Sequence, residues 1–167
     1  MNNKTRKAIE KVFEKAVWHI SKYASQADKE AGKLLERVQI DGNALVNEGI
    51  NELLTILGSA ASGTKYDNTN AYLIVGTGSG AADPTDTEVT FTAGVKAGME
   101  AGYPTYGTDQ KITWKSSYDG DTANQAWNEF GVLNAVSSGK LLNRKVSAQG
   151  TKTSGQVWDL ELEITLS

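Results

Sequence analysis

The stretch QVWDLELEITL, Gln156 to Leu166, decides how the chain is read. Trp158, Leu160, Leu162, Ile164 and Leu166 fall on one side of an extended backbone, and Asp159, Glu161, Glu163 and Thr165 on the other. An apolar period of two is the mark of a β-strand. One apolar and one charged side indicate an antiparallel sheet with one face buried and one wet. Upstream, QKITWK points Ile112 and Trp114 the same way. WNEFGVLNAVSSGKLLNRK, Trp127 to Lys145, reads as strand, small-residue turn at Ser137-Ser138-Gly139 and second strand, which is a hairpin. AYLIV (Ala71 to Val75) has the apolar run of a buried strand, and EVTFT (Glu88 to Thr92) is a further strand candidate. The Gly-rich AGVKAGMEAGYPTYG (Ala93 to Gly107) suits a loop or an irregular edge. About six strands thus follow one another with no helix between them, which implies an antiparallel sandwich or barrel and not a parallel sheet.

The N-terminal third carries a different period. Ile9, Val12, Phe13, Ala16, Val17 and Ile20 recur at three- and four-residue spacing, and Lys7, Lys11 and Lys15 occupy another face. That spacing predicts an amphipathic helix. A second helix is expected over 43–57, capped by Asp41 or Asn43, with Leu45, Val46, Ile50, Leu53, Leu54 and Leu57 as its apolar face and Gly58 at its end. The expected fold is α+β: N-terminal helices followed by an antiparallel β-sandwich or barrel-like domain. Residues 1–40 would form a helical arm and residues 41–167 an α+β domain.

Composition narrows the function classes. The 167 residues suit one domain with room for an appendage, and are enough to bury a core. There is no cysteine, which rules out disulfides, thiolate metal sites and thiol catalysis. A net charge of -3 argues against a nucleic-acid binder. No apolar run approaches the roughly 20 residues of a membrane span. MNNKTRK is basic, but no apolar segment follows it, so a cytosolic protein without export is expected. Charge is unevenly spread: Met1 to Val38 holds 9 basic and 5 acidic residues, and Gln39 to Ser167 holds 8 and 15. Such asymmetry suggests that the two parts meet different surroundings, or simply a solvated charged helix.

Few motifs carry chemistry. VGTGSGAA (Val75 to Ala82) imitates a dinucleotide fingerprint, but Asp83-Pro84-Thr85-Asp86 follows where the phosphate-binding helix should begin. A strand-connecting loop is the better reading. His19 is the only histidine, and no nucleophile or metal set assembles around it. YDGDTANQ (Tyr118 to Gln125) offers Asp119, Asp121 and Asn124 as oxygen ligands of Ca²⁺, yet lacks the closing glutamate of an EF-hand loop; an Asx-Gly turn is commoner. Trp114, Trp127 and Trp158 lie on expected strands and Trp18 on the first helix, so they are expected in the core; exposed, they would suit sugar binding. Glu129, if buried, would need Arg144 or Lys145 as a partner; otherwise an exposed cross-strand pair of little worth is expected.

Five pieces together resemble a family of small tailed-bacteriophage virion proteins over roughly residues 42–167. They are NALVNEGINELLTIL (Asn43 to Leu57), NTNAYLIVGTG (Asn68 to Gly78), DPTDTEV (Asp83 to Val89), the Trp127 hairpin ending in LLNRK, and the GTK…WDLELEITL ending. The resemblance implies no catalysis and no cofactor or metal. It implies a capsid decoration or cement protein that binds and stabilises the head, located in the virion and assembled in the host cytoplasm. Its partners would be the major capsid protein or other virion proteins and itself, as a homotrimer, with neither nucleic acid nor membrane. A tail, neck or baseplate component is the alternative, and a carbohydrate-binding host-recognition module the second. On this reading the N-terminal helical arm supplies the interface, through Ile9, Val12, Phe13, Val17 and Ile20.

Overall fold

The structure is a computed structural model that describes residues 14–59 and 62–167. It is mostly β. Among the described residues, ten strands form two antiparallel five-stranded sheets, with two short α-helices. In chain order the elements are β1 (Glu14–Tyr23), α1 (Gln26–Glu30), β2 (Glu36–Asp41), β3 (Ala44–Leu45), α2 (Asn47–Gly58), β4 (Tyr72–Gly76), β5 (Val95–Gly98), β6 (Thr105–Thr108), β7 (Lys111–Tyr118), β8 (Glu129–Leu133), β9 (Leu141–Val146) and β10 (Val157–Leu166). The first sheet runs β2-β1-β10-β7-β6 and the second β3-β9-β8-β4-β5.

The expected α+β order, helices first and sheet afterwards, is therefore corrected. Residues 14–23 form a strand that pairs with β10 from Glu14↔Leu166 to Tyr23↔Val157 and with β2 from Val17↔Asp41 to Lys22↔Glu36. The helical period through Ala16, Val17 and Ile20 coexists with a period of two through Ala16, Trp18 and Ile20. Two neighbouring strands decide between them, because burying Trp18 and Ile20 between sheets removes more apolar area than a surface helix would. Of the expected arm interface, Val17 and Ile20 lie on opposite faces of β1, both buried. Ile9, Val12 and Phe13 lie outside the described residues. The helix α1 is only five residues long, capped by the Ser25 hydroxyl accepting from the Asp28 N–H at 3.1 Å.

The inner faces of the two sheets close on one core. Trp18, Ile20, Trp114, Tyr118, Leu160 and Leu162 come from the first sheet, and Leu73, Val75, Phe130, Val132 and Leu142 from the second. The Tyr118 hydroxyl donates to the Leu73 carbonyl at 2.7 Å and ties the layers together. At the centre Trp127 packs edge-on against Tyr118 (4.8 Å) and Trp158 (5.0 Å). A smaller cluster of Val46, Ile74, Phe91, Leu133 and Leu141 covers the outer face of the second sheet.

Two more expectations change. The candidate strand Glu88 to Thr92 is a 3-10 turn over Glu88–Thr90, held by a capping box in which Thr87 and Thr90 bond each other's backbone. The Gly-rich segment from Ala93 holds β5 and leads into β6, which are edge strands of the two sheets, β6 with a register shift between Tyr106 and Thr108, in keeping with the irregular edge weighed for it. The second helix begins at Asn47, behind Val46 and without a side-chain cap, and Gly58 does not adopt a left-handed conformation.

Candidate functional site

The outer face of the second sheet carries a buried charge cluster. Glu129 begins β8 and Arg144 sits two registers away on β9, since Gly131 is the residue opposite Arg144. Diagonal neighbours across antiparallel strands lie within reach of long side chains. The Glu129 carboxylate accepts from Arg144 Nε at 3.0 Å and Nη2 at 2.6 Å, both on Oε2. Arg144 Nη1 donates to Asp86 Oδ2 at 2.9 Å. All three side chains are buried. Burial works against the Arg144 charge, but hydrogen bonds to Glu129 and then Asp86 outweigh it and hold its pKa above the ordinary arginine value. The exposed cross-strand pair considered for Glu129 is thus replaced by a buried one, with Arg144 as the partner.

This cluster explains the glycine-rich VGTGSG turn. Glu129 Oε1 accepts from the Gly78 N–H at 2.7 Å and the Thr92 N–H at 2.9 Å. A Cβ on Gly76 or Gly78 would lie 2.5 Å or 2.4 Å from that same oxygen. The glycines let the loop wrap a carboxylate of its own chain, in the place where a dinucleotide fingerprint would hold a pyrophosphate.

The Asp119–Asn124 loop, weighed above for Ca²⁺, already holds a cation of the protein itself. The Lys152 ammonium is fully buried and donates to the Thr122 carbonyl at 2.9 Å, to Asn124 Oδ1 at 2.8 Å and to the Asp119 carbonyl. The Asp119 carboxylate turns instead to the backbone N–H groups of Asp121 and Thr122 and to the Thr122 hydroxyl, each at 3.0 Å. Those bonds, the Asp121 N–H first, hold its pKa below the ordinary carboxylate range. Replacing Lys152 by Met keeps the stem and removes the ammonium, leaving buried oxygens without a donor. The expected cost is about 1–3 kcal/mol, measurable by urea denaturation; an unchanged midpoint would contradict the role given to Lys152.

A third cluster lies on the outer face of the first sheet. Lys29 of α1 donates to Asp159 Oδ1 at 2.6 Å, Glu100 Oε1 at 2.7 Å and the Ser117 hydroxyl at 2.8 Å. Lys115 stands 3.5 Å from Glu100 and 3.7 Å from Asp159. Burial alone would raise the Glu100 carboxyl, but Lys29 and then Lys115 outweigh it and hold the pKa below its usual value. These charges pin α1 and the turn after β5 onto the sheet. Sequence reasoning placed Asp159 on the wet side of its strand and missed its burial, because nothing in the sequence ties Lys29 to a residue so far along the chain.

The remaining candidates separate. His19 sits on β1 opposite Glu161 and Gln39. All four tryptophans are buried, as expected of core residues. Among the described residues, no group of three or more His, Asp or Glu side chains is placed to hold a metal ion, and no helix is long and apolar enough to cross a membrane.

A strongly apolar surface region lies along α2. α2 rests on β9 through Gly49, where a Cβ would lie 2.4 Å from both the Leu141 carbonyl oxygen and Leu142 Cα. With Gly49 at the contact, Glu52 and Ile56 share the inner side of the helix. Ile50, Leu53, Leu54 and Leu57 are therefore exposed, which reverses the expected apolar face of this helix. Beside α2 lies a groove of about 800 Å³, walled by Leu53 and Ile56 on one side and by Tyr106, Ile112 and Leu166 on the other, with Trp114 among its lining. Comparison with known protein families, characterised proteins and solved structures finds no match.

Proposed function

We propose that the chain is a non-enzymatic virion structural protein of a tailed bacteriophage, a decoration or cement protein that binds and stabilises the head as a homo-oligomer. The observation that carries this reading is where the family-like pieces fall. NALVNEGINELLTIL spans β3 and α2; the others contribute β4, the loop around Glu129, the β8–β9 hairpin and β10. The resemblance thus follows β3, β4, β8 and β9 of the second sheet and β10 at the middle of the first, and not an isolated turn. The use of charge supports it as well. The Glu129–Arg144–Asp86, Lys152 and Lys29–Asp159 clusters are satisfied by the chain itself and fix loops to sheets. A protein whose work is to hold a shape under load has a use for such internal fastening.

Particles assembled without the chain test the reading. They are expected to release their DNA at lower temperature or milder osmotic shock than complete particles, and addition of the purified chain restores them. Equal resistance of the two kinds of particle would overturn the cement role.

A further inference from the structure

We propose that the exposed row on α2 and the groove beside it form a reciprocal docking surface for a second copy of this chain. Each α2 would seat in the groove of its partner across a two-fold axis. Ile50, Leu53, Leu54 and Leu57 stand at i, i+3, i+4 and i+7, the spacing with which one helix lays an apolar ridge into a groove. Leu53 belongs to both the ridge and the groove wall, so the two surfaces adjoin. That adjacency is what a two-fold contact requires, because the same patch must give and receive on both copies.

Charge argues for the same occupant. The carboxylates of α2 are turned inward: Glu48 accepts from the Leu141 N–H at 2.8 Å, and Glu52 from the Thr64 N–H and from Asn134. The outward side of the helix retains Asn47, Asn51 and Thr55 between the aliphatic residues, and no ionised group. The uncharged ridge fits a groove whose exposed lining is mostly apolar and whose ionised residues, Lys65, Lys111, Asp67 and Asp109, balance in sign, and interface centres are depleted in charge. The groove wall opposite α2 supplies the match in Tyr106, Ile112 and Leu166.

Area sets the strength. Leu57 is 84% exposed and Tyr106 73%. At about 100 Å² for a fully exposed aliphatic side chain, these two with Ile50, Leu53, Leu54 and Leu166 present roughly 350 Å² on each copy. A standard stable interface takes about 800 Å² from each partner. The contact is accordingly a reversible, micromolar one, reinforced wherever many copies are held on one assembly. The inference concerns the purified chain in solution and does not rest on the virion reading.

Sedimentation equilibrium of the full chain, from low micromolar to high micromolar concentration, tests it. A monomer–dimer equilibrium is expected, weakened at least about tenfold by Leu57→Glu on the ridge and equally by Tyr106→Glu in the groove. Circular dichroism of both variants verifies that the fold is kept, since both positions are exposed. Because the chain has no cysteine, Leu57→Cys mixed with Tyr106→Cys is expected to give the mixed disulfide in preference to either homodimer. A chain that stays monomeric at high concentration overturns the proposal, whatever else covers the face. So does a dimer indifferent to both charged variants, or one in which only the ridge variant acts, since that would be ridge against ridge.

Discussion

Arg144→Leu is expected to destabilise the protein by about 3–5 kcal/mol, which for a domain of this size lowers the melting temperature by roughly 6–20 °C. The substitution leaves the Glu129 carboxylate fully buried without the guanidinium it accepts from, and Asp86 loses the same partner. Breaking one side of a buried pair costs much more than the pair contributes, because the remaining charge keeps its desolvation penalty. The double substitution Glu129→Gln with Arg144→Leu isolates that mechanism. Glutamine retains an oxygen for the Gly78 and Thr92 N–H groups and carries no charge, so most of the lost stability is expected to return. Guanidinium denaturation of the three proteins measures this. A single variant within about 1 kcal/mol of the parent, or a double variant no better than the single, would show that the cluster does not hold the glycine-rich loop as described.

Trp127→Ala is expected to cost about as much, 3–5 kcal/mol, for a different reason. Trp127 is fully buried, makes two edge-on aromatic contacts and donates from its indole N–H to the Ala123 carbonyl at 3.1 Å. Truncation opens a cavity at the junction of the two sheets, where strands on both sides limit collapse. Trp127→Phe keeps a ring and loses the hydrogen bond, and is expected to cost distinctly less. Thermal unfolding by near-ultraviolet circular dichroism checks both; equal and small losses would mean that the aromatic cluster is not the keystone of the core.

The parts of this fold that were legible in the sequence share one physical property. In β10 and β7 one face is apolar and the other polar, so the alternation itself specifies the strand and its orientation. The hairpin from β8 to β9 was legible through its turn: Ser138 adopts φ 54°, and a Cβ on Gly139 would lie 2.6 Å from the Ala135 carbonyl oxygen. Residues 14–23 were misread because both periods fit, and only pairing with β2 and β10, which lie farther along the chain, decides between them. α2 was recognised as a helix, yet its buried side was not, since periodicity reveals an apolar row without saying that the fold covers it. Here a glycine makes the contact and the row faces outward. β5 and β6 had no readable pattern, because both strands are short and β6 is exposed throughout.

The candidate sites follow the same division. That Glu129 would need Arg144 if buried could be reasoned from residue type alone; that it is buried could not. The role of Lys152 was hidden, because its partners are largely backbone carbonyls, which leave no trace in a sequence.

One measurement bears most directly on the claim that this chain is a structural part of a phage head: quantitative mass spectrometry of separated heads and tails. High copy number with heads, in stoichiometric relation to the shell protein, is the result expected. A few copies with tails would contradict the decoration role and move the chain to the neck or baseplate. Absence from both fractions would contradict the virion reading itself.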